Sequence, residues 1–361
     1  LYPSRVANPD LTWEKTTQYN IGVDFSIFKD RLTITADAYY SRTTDLLLSV
    51  KTIQSTGFDN RFTNLGLTSN KGVELTIVSH NFDRRKFGWI TEFTISHNSQ
   101  RVEDIGHEDY VSLVDSSGYM MYGYKAGYPL NALWGFQYEG VFHNEEEVRR
   151  NRVLHTYASQ TGFSDNDDLK HVGRAKYADV DGDGSLSQAD LVYLGQAEPI
   201  VSGGLQNTFN IGKLKIGAYF AYSIGGKIYN YAELRMSGGY YTNQYRYMLD
   251  AWHPVRNPNS DIMRPGIGAY NVPSSFQVHD ASYLRFKTLS VSYNWDFKKK
   301  RKSPIRGLTL GVTGENLFLW TKYNGFDPDV STSSEDAALR RVDMGAYPRE
   351  RSVVLNLKIR I

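Results

Sequence analysis

The sequence predicts an all-β fold, a transmembrane antiparallel β-barrel with long extracellular loops and short periplasmic turns. Three observations lead there. Side chains alternate with period two over long stretches, the spacing at which neighbours on a strand face opposite ways. Short and long connections alternate along the chain, as they do where turns lie on one side of a membrane and loops on the other. The last residues form the most regular strand of all, with Leu355, Leu357, Ile359 and Ile361 set against Asn356, Lys358 and Arg360.

Taken in order, the first strand places Tyr19, Ile21, Val23, Phe25 and Ile27 on one face and Asn20, Gly22, Asp24 and Ser26 on the other. A turn at Lys29-Asp30-Arg31 leads into Leu32, Ile34, Ala36, Ala38 and Tyr40, alternating with Thr33, Thr35, Asp37 and Tyr39, which makes a hairpin. The pattern recurs at Val73, Leu75 and Ile77, and at Trp89, Phe93 and Ile95. It returns at Leu214, Ile216, Ala218, Phe220 and Tyr222, and at Leu289, Val291, Tyr293 and Trp295. Helical period is nearly missing, and only residues 145–150 read as a short helical turn. Connections at 29–31, 82–88, 211–213 and 298–304 are short, whereas 51–68, 230–280 and 324–346 are long. Between Gln100 and Val201 the order is expected to be kept by two more strands, 118–126 and 131–142, joined by a turn at Gly127-Tyr128-Pro129. About eleven strands result.

The competing fold is a soluble β-sandwich, whose strands also alternate because one face enters a core. Loop order and the closing strand favour the barrel. So do Asp24, Asp37, Glu74, Glu92, Glu315 and Lys358, which fall on the faces opposite the apolar ones, as a wet lumen allows.

Composition sets outer bounds. Aromatic residues make up 14% of 361 residues while total hydrophobic content is 40%, a balance that suits half-buried strands better than helices. Lys plus Arg number 41 against 39 for Asp plus Glu, so no net field favours nucleic acid. With no cysteine there is no disulfide and no thiolate metal site. No apolar run approaches the roughly 20 residues of a transmembrane helix, which leaves strands of about 10 residues as the means of crossing. The opening Leu1-Tyr2-Pro3-Ser4 has neither an initiator Met nor a signal-peptide pattern, and the chain is read as a fragment.

The sharpest motif runs from Asp179 to Asp190, Asp-Val-Asp-Gly-Asp-Gly-Ser-Leu-Ser-Gln-Ala-Asp, and fits an EF-hand-like calcium loop. Asp179, Asp181 and Asp183 would supply carboxylate oxygens, Ser185 its carbonyl, Ser187 a water-mediated contact and Asp190 the closing carboxylate. A short Asp at the last position and weak flanking helices depart from the pattern, and a solvated Asp/Gly turn is the plain alternative. A cluster of aromatic residues, Tyr240, Tyr241, Tyr245, Tyr247 and Trp252, falls in a long loop, where it would stack on sugar rings, pack a peptide, or hold the loop itself together. Lys298-Lys299-Lys300-Arg301-Lys302 lies between strands and reads as a solvated turn rather than a nucleic-acid patch. No His-Glu-x-x-His, Gly-x-Ser-x-Gly or phosphate-loop pattern occurs, and no catalytic residue is nominated.

Several segments in order resemble the C-terminal half of SusC-like TonB-dependent outer-membrane transporters. They are Asn8-Pro9-Asp10-Leu11-Thr12-Trp13-Glu14-Lys15, Gly22-Val23-Asp24-Phe25, Asn70-Lys71-Gly72-Val73-Glu74, Gly140-Val141-Phe142 and the 179–190 loop. Ser282-Tyr283-Leu284-Arg285, Gly314-Glu315-Asn316-Leu317-Phe318, Gly325-Phe326-Asp327-Pro328 and Tyr347-Pro348-Arg349 follow. The resemblance implies about the last 11 strands of a 22-stranded barrel, with the plug and N-terminal strands preceding Leu1 and residues 143–200 forming an extracellular insertion. It also implies TonB-energised import of a glycan or peptide with a SusD-like lipoprotein. A passive porin and a secreted calcium-stabilised glycan-binding or hydrolysing β-protein are the alternatives.

Overall fold

The computed structural model describes residues 8–51, 57–58, 60–64, 66–106, 111–112, 123–150, 154–155, 171–237, 243–265, 272–297, 304–330 and 341–361. Nine long strands make one antiparallel sheet: β1 (Lys15–Ile27), β2 (Leu32–Thr44), β3 (Leu67–Arg84), β4 (Phe87–Asp104), β5 (Val201–Ile211), β6 (Leu214–Ile224), β7 (Tyr283–Asp296), β8 (Gly307–Thr321) and β9 (Ser352–Arg360). Each pairs with the next, so the sheet runs in chain order from β1 to β9. Those two end strands are not paired with each other, and the described residues form an open wall.

Pairing register turns the sequence alternation into two faces. Val23 lies opposite Ala36, Ala36 opposite Leu75, Leu75 opposite Ile95, and Ile77 opposite Phe93. The row continues through Phe93–Leu205 and Leu205–Phe220, and farther along the sheet Ile216, Val291, Val312 and Leu355 are successive partners. Among the described residues no second sheet covers this face: Ile21 is 70% exposed and Leu355 73%. The sandwich is therefore excluded, because a sandwich buries its apolar faces against each other. The opposite face pairs Asp37 with Glu74, Glu74 with Ser96, Gln206 with Glu92 and Asn356 with Gly311.

Aromatic rings collect at both ends of the apolar face. Phe82, Trp89 and Phe209 stack near the short turns, and Phe220, Phe286, Phe318 and Trp320 stack toward the long loops. Such belts sit where a bilayer meets water. Leu289 and Val291 occupy the middle of β7 between these levels.

The β1–β2 turn needs three successive left-handed residues, Phe28, Lys29 and Asp30, with φ of 55°, 59° and 61°. Bulges at His80/Phe82, Tyr219/Phe220 and Phe286/Thr288 interrupt the ladders. At 18 residues each, β3 and β4 run to roughly 60 Å at about 3.3 Å per residue, well beyond what a crossing strand requires. Among the described residues no helix is long and apolar enough to cross a membrane, which says nothing of strands.

Two expectations are corrected. The sheet has nine long strands among the described residues, not about eleven, because β4 pairs directly with β5 and none of the described residues between 105 and 200 joins the sheet. Within the expected strand 118–126, residues 118–122 lie outside the described residues, and the remainder contributes only Gly123–Tyr124. The expected strand 131–142 is two short pieces, Ala132–Gly135 and Tyr138–Val141, which pair with Val192–Gln196 and Ala175–Tyr177 in the loop. The physical reason is visible in the residues. Leu133, Trp134, Phe136, Val141 and Phe142 are apolar on both faces and buried, whereas a wall strand keeps one wet face. The short helix α1 (Glu145–Arg150) stands where the sequence places it.

Adjacent residues on β7 test the two faces. In the intact barrel Val291→Arg is expected to lower folding stability in a bilayer by about 2–4 kcal/mol, whereas Ser290→Arg on the polar face changes it by less than about 1 kcal/mol. Urea titration in lipid vesicles reads both, and equal costs would refute the assignment of faces.

Candidate functional site

The packed interior of this chain lies in its loops. Phe136, Val141, Phe142, Val148, Tyr177, Leu186, Trp252 and Met263 belong to a cluster that joins loop 105–200 to loop 225–282. A second cluster, with Leu133, Ala197, Tyr229, Leu234 and Val342, adds loop 322–351. Ile228, Ala281 and Tyr323 tie the last two loops again. A small sheet seals the junction, with Lys227–Asn230 flanked by antiparallel Val278–Asp280 and parallel Val342–Asp343. The long connections thus form a folded cap on one end of the wall.

Buried polar groups give the cap its fixed geometry. Asn230 accepts at Oδ1 from the Glu233 amide at 2.9 Å and caps α2 (Tyr231–Met236). Glu233, itself buried, accepts from Asn324 Nδ2 at 3.2 Å and pairs with the His279 ring. Tyr323 donates its hydroxyl to Asp343 Oδ2 at 2.7 Å. Burial above all, with the Asp343 carboxylate second, pushes the Tyr323 phenol far above its ordinary value, so it stays a donor. Asp280 accepts from the Ser282 hydroxyl and amide at 2.6 and 2.8 Å, and the hydroxyl holds its carboxyl below the usual range at the entrance to β7.

The strongest anchor is ionic. Arg285, on the polar face of β7, meets Asp327 Oδ1 at 2.6 Å, with both side chains almost fully buried. Arg349 approaches Asp327 at 4.0 Å and Asp329 at 2.7 Å. Three residues from three separate sequence motifs therefore converge, tying the two ends of the last loop to each other and, through Arg285, to the wall. Reading the sequence for chemistry misses Arg285, Asp327, Arg349, Glu233 and His279 as partners; the only signal was that the first three stand within the motifs noted above.

The acidic loop is closed by its last residue. Asp190, fully buried, accepts from Val180 N at 2.7 Å through Oδ1 and from Ser187 N at 2.7 Å through Oδ2. Asp179 accepts from Gly182 N and Gly184 N, both at 2.9 Å. Gly182 and Gly184 have φ of 76° and 80°, which glycine adopts without strain. Asp179, Asp181 and Asp183 each bring a carboxylate oxygen to within 4.8 Å of the others. Ser187 accepts from Ala189 N at 3.1 Å, and Ser185 opens a short strand, Ser185–Leu186, that plants Leu186 in the first cluster. The three leading aspartates thus come together, while both oxygens of Asp190 serve backbone amides.

The loop aromatics divide. Tyr240 and Tyr241 lie outside the described residues, as does the basic run 298–302. Tyr245 is half-buried, stacks on Tyr247 at 5.6 Å and accepts from Asn230 Nδ2 at 3.5 Å. Trp252 is core: it is buried in the first cluster against Gly173, where even a Cβ would collide with its ring. Of the expected ligand-stacking residues it is therefore the one the structure turns inward, because a large ring packed by its own loop has no face left to offer.

Residues 1–317 match the family model described as TonB dependent receptor-like, beta-barrel. TonB-dependent receptor P26 of Formosa agariphila is 31% identical over 98% of this chain and 35% of its own length. TonB-dependent receptor SusC of Bacteroides thetaiotaomicron is 24% identical over 98% of this chain and 32% of its own. The solved structure of the RagAB peptide transporter superposes with a TM-score of 0.75 at 22% identity, covering 98% of this chain and 36% of that one. The chain spans about a third of the length of the curated relatives it matches.

Removing one partner of the buried ion pair should release the last loop. Asp327→Ala leaves Arg285 buried without its carboxylate, an expected cost of about 3–5 kcal/mol. Hydrogen exchange should rise at 322–330 and 341–351 while β7 and β8 stay protected. Unchanged exchange there would show that the ion pair does not hold the loop.

Proposed function

This chain belongs to the TonB-dependent receptor-like β-barrel family, and on that premise we propose that it forms wall and outer loops of an importer for an oligomeric nutrient. The observation that carries the reading is the uncovered apolar face running in register across nine strands, backed by a polar face and surmounted by a packed cap. Such a wall has lipid on one side and an aqueous interior on the other. In this reading the cap selects what enters, a SusD-like lipoprotein covers it from outside, and TonB energises passage through parts of the protein beyond this chain. The likeness to SusC and to the RagAB peptide transporter supports a glycan or a peptide as cargo.

Isolation of the intact protein from outer membranes tests this. A surface lipoprotein in equal amount is expected, together with an oligomer identifiable by mass spectrometry as sugar or peptide. Uptake of that oligomer should stop when TonB is deleted. Uptake that persists without TonB would establish a passive porin instead, and a protein extracted without detergent would refute the membrane reading altogether.

The insertion at 143–200 is further read as carrying a structural calcium site, supported by the convergence of Asp179, Asp181 and Asp183. These three would hold the ion, with the Ser185 carbonyl and a water on Ser187, while Asp190 keeps the loop closed around them. The ion would relieve the repulsion among three carboxylates and so fasten Leu186 into the cap. Chelation of the intact protein is expected to raise hydrogen exchange at Ser185–Leu186 and Ala175–Tyr177. Asp181→Asn should abolish that response to chelator. A parent protein indifferent to chelation would remove calcium from the account.

A further inference from the structure

The short-turn end of the wall is basic, and neither the cap nor the polar face accounts for it. Among the described residues of 28–31, 83–87, 211–214, 296–297, 304–307 and 360–361, eight basic side chains stand against three acidic ones, whereas the whole chain carries 41 against 39. Two of the eight are already engaged. Arg31 donates to the carbonyls of His80 and Asn81, and Arg360 pairs with Asp296.

Four of the others meet at one place. Arg84 ends β3 opposite Phe87, in a row that continues through Ile211 to Leu214, so it stands on the apolar face of the wall. Arg85 and Lys86 make the turn itself. The Gly212 amide donates to the Lys86 carbonyl at 2.9 Å, which sets the β5–β6 turn, with Lys213, against the β3–β4 turn. Arg84, Arg85, Lys86 and Lys213 are exposed, and among the described residues none of them is in an ion pair. Asp83, the one acid in these two turns, pairs with Gly88 in the alternate row and so belongs to the polar face.

Immediately toward the membrane the same strands carry aromatic rings. Phe82 lies 5.7 Å from Phe87 and 6.0 Å from Trp89, which stacks on Phe209 at 5.6 Å. The cations therefore begin where the aromatic belt ends, at the level of lipid headgroups. Like charges gathered on neighbouring turns repel, and an anion with several oxygens turns that repulsion into charge-assisted hydrogen bonding, with arginine suited to a phosphate's paired oxygens. At this height the molecules that join a phosphate to an apolar chain are the phospholipids of the turn-side leaflet. A zwitterionic headgroup brings its own ammonium into the cluster, so a headgroup with net negative charge fits better.

We propose that Arg84, Arg85, Lys86 and Lys213 hold the headgroup of one anionic phospholipid of the periplasmic leaflet, with an acyl chain lying over Phe82, Phe87 and Trp89. The proposal rests on the orientation of the wall given in the proposed function, and adds to it a lipid that the turn side selects.

Native mass spectrometry of the intact protein, released from outer membranes in mild detergent, tests it with phosphatidylglycerol and phosphatidylethanolamine of identical chains. The unmodified protein should retain phosphatidylglycerol about tenfold better, and millimolar inorganic phosphate should not displace it. The variant Arg84→Gln, Arg85→Gln, Lys86→Gln, Lys213→Gln should lose that preference, whereas Lys29→Gln with Arg306→Gln, which removes turn-side cations elsewhere, should keep it. Equal retention of the two lipids by the unmodified protein overturns the proposal whatever the variants do. Displacement by inorganic phosphate also overturns it, pointing to a free-anion site, as does loss of the preference in the Lys29 and Arg306 variant, which would mean a diffuse field instead of a site. Heat-modifiable mobility on gels reports the folded barrel separately: a folded barrel that fails to discriminate the lipids sinks this inference alone, whereas the lack of any folded barrel sinks the import reading as well.

Discussion

Everything in this molecule depends on the ladder of hydrogen bonds between adjacent strands. In a hydrocarbon medium no water is available to a backbone amide, and each unsatisfied group costs several kcal/mol. The nine strands answer that demand in the simplest order, each bonded to its neighbour in sequence. Once the ladder is fixed, period two does the rest, because every second side chain must face lipid and every other one water. Ile21, Val73 and Leu357 are exposed in isolation for this reason, and their exposure is the signature of a surface meant for a different solvent.

The same constraint explains where the packed core went. A wall one strand thick has no interior, so the residues that would fill a soluble core have to find one elsewhere. They find it in the loops, where Leu133, Val141, Tyr229 and Met263 are shielded from water by the folding together of three connections. The Arg285–Asp327 pair then joins this soluble-like cap to the membrane-like wall. Burying that pair is expensive, and its role is better understood as fixing geometry than as adding net stability.

Much of this was legible in the sequence. Strand positions and faces followed from alternation alone, since Tyr19 to Ile27 and Leu355 to Ile359 leave no other reading, and α1 was visible as a short run with acidic residues ahead of basic ones. The stretch 131–142 misled, because an apolar run interrupted by glycines looks the same whether it enters a membrane or a loop core. What decides is the partner it pairs with, Val192–Gln196 or Ala175–Tyr177, and long-range pairing is not written locally. Trp252 misled for a similar reason: an aromatic ring in a loop says nothing of whether its own loop closes over it. Asp190 was expected as the closing carboxylate of a calcium loop, and both of its oxygens accept from backbone amides, which only coordinates reveal.

The bulges at His80/Phe82, Tyr219/Phe220 and Phe286/Thr288 have an evolutionary meaning. Adding or deleting one codon inside a wall strand would exchange its lipid and water faces beyond that point, a change few lineages could survive. A bulge absorbs the extra residue and restores the phase, as it does at these places and at Leu67/Thr68. The connections of the cap carry no such constraint of phase, so a residue added there leaves both faces of the wall where they are.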